Sequence, residues 1–277
     1  MPHGKANCLL VAGVVAVVTL IGIGWGHAQQ QSGRALPVPE GAPLPPEQIP
    51  QPIRDAVNAP DRPAADKSLD AGRQPEQLLA FWSIGPGMKV ADLFAAGGYT
   101  TELLARTVGP SGTVYSQNPP FPPEFQSIEQ AWTERLKSPA LKNVIAVHTG
   151  FEAEELLPAA PGSLDAVVMH LNYHDLVLRG VDRGKVNAAV YRALKSGGVY
   201  GIADHSAKEG SGVQDLALHR IDEQFVIDEV QQAGFRLVAR SSVLRHPGDD
   251  RTWTASPRAA GERRGTTDRF VLLFRKP

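Results

Sequence analysis

The stretch Lys89–Ala105, KVADLFAAGGYTTELLA, constrains the fold more than any other part of this sequence. Val90, Ala91, Leu93 and Phe94 make the short apolar run of a buried strand, Ala95–Gly98 is a turn of small residues, and a helical pattern starts at Tyr99. Residues with little or no side chain let a ligand reach backbone N–H groups, and the positive end of the following helix points at the same spot. Asp92 lies inside the strand, where a carboxylate requires hydrogen-bond donors close by. Strand, glycine turn and helix in this order form the nucleotide-binding corner of an open α/β sheet. The alternative is a plain strand–turn–helix connection without a ligand, and the order of the remaining elements favours the first reading.

Before this corner, Pro75 suits the first turn of a helix through Trp82, and Gly85-Pro86-Gly87 turns the chain into the strand. After it, strands are expected at Thr113–Ser116, Val144–His148, Leu164–His170 and Val199–Ala203. Helices are expected at Glu124–Lys137, Val181–Leu194 and Glu223–Ala233. Strands alternating with helices at this spacing predict a doubly wound, mostly parallel sheet. The last two strands, Phe235–Ser241 and Phe270–Arg275, are joined by a link, about Leu244 to Asp268, without a helical pattern, so they are expected to pair antiparallel. That link carries Arg245, Arg251, Trp253, Arg258, Arg263 and Arg264. It reads as a solvated loop or as a lid that contacts a ligand.

The amino-terminal part has a different texture. Leu9–Trp25 is an uncharged apolar run, preceded by Lys5 and followed by Gly26-His27-Ala28. This is the pattern of a secretory signal peptide over residues 1–28, cut after Ala28, with the product periplasmic or secreted. An uncleaved membrane anchor is the alternative, and the glycines that dilute the run favour cleavage. Cys8, the single cysteine, leaves with the signal, so the mature chain has no disulfide, no thiolate nucleophile and no cysteine-based metal site. Residues 29–65 are rich in proline and read as an extended tether without regular structure, leaving 66–277 as the folded domain. The formal net charge of −1 gives no electrostatic reason to expect nucleic acid or an anionic membrane as partner.

Polar residues gather after two strands. His170, Asn172, Tyr173, His174 and Asp175 follow the fourth, and Asp204 and His205 follow the fifth. Both strand ends open on the carboxyl edge where ligands bind in such sheets. His219 and Asp222 are within reach, although Asp222 reads as the N-cap of the next helix. His174, Asp175, Asp204 and His205 are the candidate catalytic residues, with His174 the first choice of general base and His205 the second. The same residue types, His174, Asp175, His205 and His219, also suit a metal site.

Four phrases carry a resemblance over about Asp66 to Pro277: GPGMKVADLFAAGGYTTELLA, SLDAVVMHLNYHDL, ALKSGGVYGIADHS and QQAGF. In this order the chain resembles class I S-adenosylmethionine-dependent methyltransferases, with their Rossmann-like α/β fold. More narrowly, through its DHSA and LHRID phrases, it resembles a bacterial group of predicted exported methyltransferases. The resemblance implies methyl transfer from S-adenosylmethionine to a small-molecule acceptor. It places Asp92, Phe94, Ala95, Gly97 and Gly98 at the methionine end of the cofactor, Asn118 at the ribose, and Phe151 and Glu152 beside the adenine. Phe94 stands where that family has its first glycine, and Ser116-Gln117-Asn118 where it has an acidic residue. A metal-dependent enzyme and a non-catalytic ligand-binding module on the same fold are the alternatives.

Overall fold

A computed structural model describes residues 38–277. The expected signal peptide, its cleavage site and the first part of the proline-rich segment therefore lie outside the described residues. From Val38 onward the chain forms one unit around a sheet of eight strands. The strands are β1 Glu40–Gly41, β2 Lys89–Leu93, β3 Thr113–Asn118, β4 Val144–His148, β5 Leu164–His170, β6 Leu194–His205, β7 Arg236–Ser241 and β8 Arg269–Arg275, in the spatial order β1-β7-β8-β6-β5-β2-β3-β4. All neighbours are parallel except β8, which runs antiparallel to both β6 and β7. This is the doubly wound sheet with an antiparallel last strand that the element order predicts.

Helices cover both faces. They are α1 Gln51–Val57, α2 Ala64–Arg73, α3 Pro75–Phe81, α4 Tyr99–Val108, α5 Gln126–Arg135, α6 Tyr173–Leu178, α7 Arg183–Ala193 and α8 Glu223–Gln232. Because side chains alternate along a strand, β5 feeds both layers. Val167 and Met169 pack with Val186 and Val190 of α7 and Val226 and Val230 of α8. Ala166 and Val168 pack with Leu103 and Leu104 of α4, Leu78 and Leu79 of α3, and Trp82. Gly201 of β6 permits the closest of these approaches, since a Cβ there would lie 2.6 Å from the Trp82 ring.

The expectation of an extended tether over residues 29–65 is corrected for its described part. A 3-10 turn at Pro46–Gln48 and helix α1 occupy it, and Ile49, Ile53, Ala56 and Val57 are buried. The prolines do not prevent this because they sit at helix starts. Pro50 is the N-cap of α1, Pro52 lies in its first turn and Pro63 is the N-cap of α2. At those positions the missing N–H would have had no intrahelical partner anyway. No helix among the described residues is long and apolar enough to cross a membrane.

Candidate active site

Parallel pairing of β2 with β3 and β5, and of β5 with β6, brings the carboxyl ends of four strands to one edge. Past Leu93 the chain turns through Phe94 (φ 55°), Ala96 (φ 49°) and Gly98 (φ 83°) into α4. Amide side chains clamp this turn. Phe94 N–H donates to Gln117 Oε1 at 3.2 Å, Ala96 N–H donates to Asn118 Oδ1 at 2.8 Å, and Asn118 Nδ2 donates back to the Ala96 carbonyl at 3.1 Å. Asn172 Nδ2 donates to the Phe94 carbonyl at 2.8 Å. Two neighbouring glycines have opposite surroundings. A Cβ on Gly98 would lie 2.2 Å from the Trp132 ring, whereas one on Gly97 would meet nothing within 4 Å. Among the described residues the Gly97 N–H also has no hydrogen-bond partner. Asp92 is buried and accepts the Thr101 hydroxyl at 2.6 Å, and burial pushes its carboxyl from the ordinary 3.8 up to about 7.

At the other end of the edge, Asp204 is fully buried and accepts three hydrogen bonds. They come from the His174 backbone N–H at 2.8 Å, His174 Nδ1 at 2.7 Å and the His205 backbone N–H at 2.8 Å. Burial opposes a charged His174, but the charge and hydrogen bond of Asp204 outweigh it and lift the ring above its ordinary value. His174 Nε2 faces His219 Nδ1 at 3.2 Å. His205 bonds Thr267 Oγ1 through Nδ1 at 2.8 Å; burial first, then the nearby His174, holds its pKa well below the usual imidazole range. His170, with Nδ1 against Thr100 Oγ1 at 3.0 Å, is likewise kept neutral by burial, and its buried Nε2 has no partner.

A cavity of about 570 Å³ joins the two ends. Asp92, Phe94, Ala95, Gly97, His174, Asp175 and His205 all line it. Asp204 lies behind His174 and positions it. Four of the placements implied by the resemblance differ in the structure. Asn118 has both amide groups on Ala96 and is fully buried, so it holds the turn instead of facing a ribose. Phe151 packs edge-on against Phe94, with ring centroids 5.1 Å apart, beneath the cavity wall. Glu152 points away, accepting from Asp182 N–H at 2.9 Å and pairing with Lys185 at 3.0 Å. Gly98 is likewise set back, against Trp132. Asp222 is the N-cap of α8, accepting from Gln224 N–H at 2.9 Å, as its sequence position suggests.

Several lining residues escape the sequence reading. Arg73 lies over the Tyr99 ring at 4.3 Å and makes no ion pair among the described residues. The link before β8 is a wall rather than a solvated loop. Asp249 accepts from Arg220 Nη1 at 2.8 Å and from Asp268 N–H at 2.6 Å, and the Ala255–Arg258 stretch this anchors lines the cavity. Of the seven non-glycine residues with positive φ among the described residues, Phe94, Ala96, Leu171 and His219 line this one cavity. Backbone strain of this kind costs roughly 1–3 kcal/mol per residue and gathers at functional sites.

No protein-family model and no curated protein sequence matches the chain. Solved structures do. A SAM-dependent methyltransferase from Aquifex aeolicus superposes with a TM-score of 0.54 at 18% identity, covering 76% of this chain and 96% of that one. An S-adenosylmethionine-dependent methyltransferase from Mesorhizobium loti gives 0.51 at 15%, covering 75% and 100%. The [4+2]-cyclase SpnF gives 0.54 at 15%, covering 86% and 99%. The fold is that of the class I methyltransferases. At these identities the likeness carries the fold alone, and the cyclase shows that the fold is no guarantee of methyl transfer.

Proposed function

We propose that this protein transfers a methyl group from S-adenosylmethionine to a small-molecule acceptor, using the cavity between the Phe94–Gly98 turn and the His174–His205 corner. The observation that carries the reading is the continuity of that cavity, which gives cofactor and acceptor facing positions on one strand edge. The turn end fits the cofactor. Among the described residues nothing fills the space over Gly97 or bonds its N–H, and α4 directs its amino end there. Arg73, a cation at the cavity wall with no ion pair among the described residues, is suited to a ligand carboxylate. When bound, the cofactor supplies an electrophilic methyl group on a sulfonium.

What the protein's residues contribute is alignment and proton removal. Phe121, Phe125 and Ile128 line the cavity with apolar surface that excludes water. Aligning two reactants in this way removes much of the entropic barrier of a bimolecular step. His205 lines the cavity with an Nε2 that has no hydrogen-bond partner among the described residues; in the tautomer that donates Nδ1–H to Thr267, this nitrogen takes the acceptor's proton. His174, the first choice from sequence, already has one nitrogen on Asp204 and the other against His219.

Isothermal titration of the mature chain with S-adenosylmethionine tests this reading. One site per chain is expected, lost in Gly97→Leu while the circular dichroism spectrum is unchanged. A titration unaffected by Gly97→Leu would remove the turn from the site, and no binding by the unmodified protein would sink the proposal.

A further inference from the structure

We propose that His174, Asp175 and His219 bind a divalent transition-metal ion of the Zn²⁺ type at the histidine end of the cavity. The site stands on its own donors and goes beyond the methyl-transfer reading. His174 Nε2 lies 3.2 Å from His219 Nδ1 and 3.6 Å from Asp175 Oδ1, and His219 Nδ1 lies 3.7 Å from the same oxygen. These three atoms form a nearly equilateral triangle. A point equidistant from all three, in their plane, is about 2.0 Å from each, which is the bond length of Zn²⁺ to imidazole nitrogen and carboxylate oxygen. An ion slightly out of that plane completes three corners of a tetrahedron and leaves the fourth open to the cavity, the arrangement of catalytic zinc sites.

A hydrogen bond between the two rings would explain the 3.2 Å distance but not the carboxylate. Asp175 Oδ1 is too far from both nitrogens for a hydrogen bond, and its side chain accepts none among the described residues. An unpartnered carboxylate aimed at the midpoint of two imidazoles is what a cation would satisfy. Two further features support this. Asp204 holds His174 through Nδ1, so that Nε2 presents its lone pair to the triangle, the carboxylate–histidine arrangement that orients metal ligands. His219 is held in the left-handed region at φ 53°, with its N–H on the Leu216 carbonyl at 2.8 Å; this strained backbone delivers Nδ1 to the other two donors. Two imidazoles and one carboxylate suit first-row transition ions better than Mg²⁺ or Ca²⁺, which prefer all-oxygen sites. The open corner can take a hydroxyl, thiol or amine of a bound small molecule and lower its pKa.

The test uses the mature chain, stripped with chelator and titrated with Zn²⁺, with Co²⁺ as a visible reporter of four-coordinate geometry. One ion per chain is expected by elemental analysis, with intense Co²⁺ bands. Asp175→Asn should weaken binding about 10–100-fold, and His219→Ala should abolish it. His148→Ala, at an exposed histidine on β4, should bind as the unmodified chain does. Circular dichroism checks that each variant is folded. S-adenosylmethionine titration of His219→Ala separates loss of the metal from loss of the cofactor end. Absence of Zn²⁺ binding at micromolar concentration, or binding that survives in both Asp175→Asn and His219→Ala, would overturn the site.

Discussion

At the turn end of the cavity, the N–H groups of Phe94, Ala95 and Ala96 are already bonded to Gln117 and Asn118, and of the four residues Phe94 to Gly97 it is Gly97 whose N–H has no partner among the described residues. At the histidine end, the Asp175 carboxylate and His205 Nε2 keep their acceptor capacity among the described residues, while the carboxylate behind them, Asp204, is fully engaged. One end is a shaped platform whose polar groups are spent on holding its own geometry. The other is a set of unspent donors oriented by a buried anion. Under the proposed function, this difference is a division of labour, with position set at the turn and proton or metal chemistry at the histidines.

Removing the buried anion should break this contrast most severely. Asp204→Ala leaves a buried imidazole and two backbone N–H groups without their acceptor, and a loss of about 3–5 kcal/mol in chemical denaturation is expected. A variant as stable as the original chain would mean that the histidine end is not organised by Asp204. The turn should respond more moderately and in a position-dependent way. Gly98→Ala meets the Trp132 ring and adopts φ 83°, so roughly 2–4 kcal/mol of stability should be lost. Gly97→Ala should leave stability within about 0.5–1 kcal/mol, since only open space surrounds its Cβ. Equal effects at the two glycines would erase the distinction between the supported and the exposed side of the turn.

A separate contrast, read against pH, concerns the strand beneath the turn. The Asp92 carboxyl is raised in the folded protein from 3.8 to about 7, so the native state holds the proton more tightly than the unfolded chain. Its stabilising contribution is full below pH 3.8 and is lost as pH rises through 7. Asp92→Asn should flatten that part of the curve of thermal midpoint against pH, with the unmodified chain losing ground to the variant toward pH 8. Parallel curves for the two proteins would show that Asp92 titrates normally.

The parts of the molecule visible in the sequence are those encoded locally. Lys89–Ala105 supplies its own strand, turn and helix in one run, and β5 and β6 announce themselves as apolar runs ending in polar residues. The ribose assignment of Asn118 failed because its partner, Ala96, sits 22 residues earlier, and only the paired register of β2 and β3 brings them together. The role of His219 required folding too. Its backbone conformation and its approach to His174, 45 residues away, depend on a 3-10 turn at Leu216–Leu218 that no periodicity marks. The proline-rich start misled for the opposite reason. Proline density alone argues against regular structure, but Pro50, Pro52 and Pro63 stand at helix N-termini, where proline starts a helix. The link before β8 reads as a solvated loop or a lid because it has no periodicity, whereas in the structure its Arg245 pairs with Glu40 and Glu223 and its Arg251 with Asp268.

Hydrogen–deuterium exchange of the protein, alone and with saturating S-adenosylmethionine, tests the division between the two ends most directly. Slowed exchange is expected in peptides covering residues 94–101, where Gly97 and the first turn of α4 offer unengaged N–H groups, with little change across 204–222. Protection confined to the histidine end, or none at either end at saturating ligand, would contradict the assignment of the turn to the cofactor.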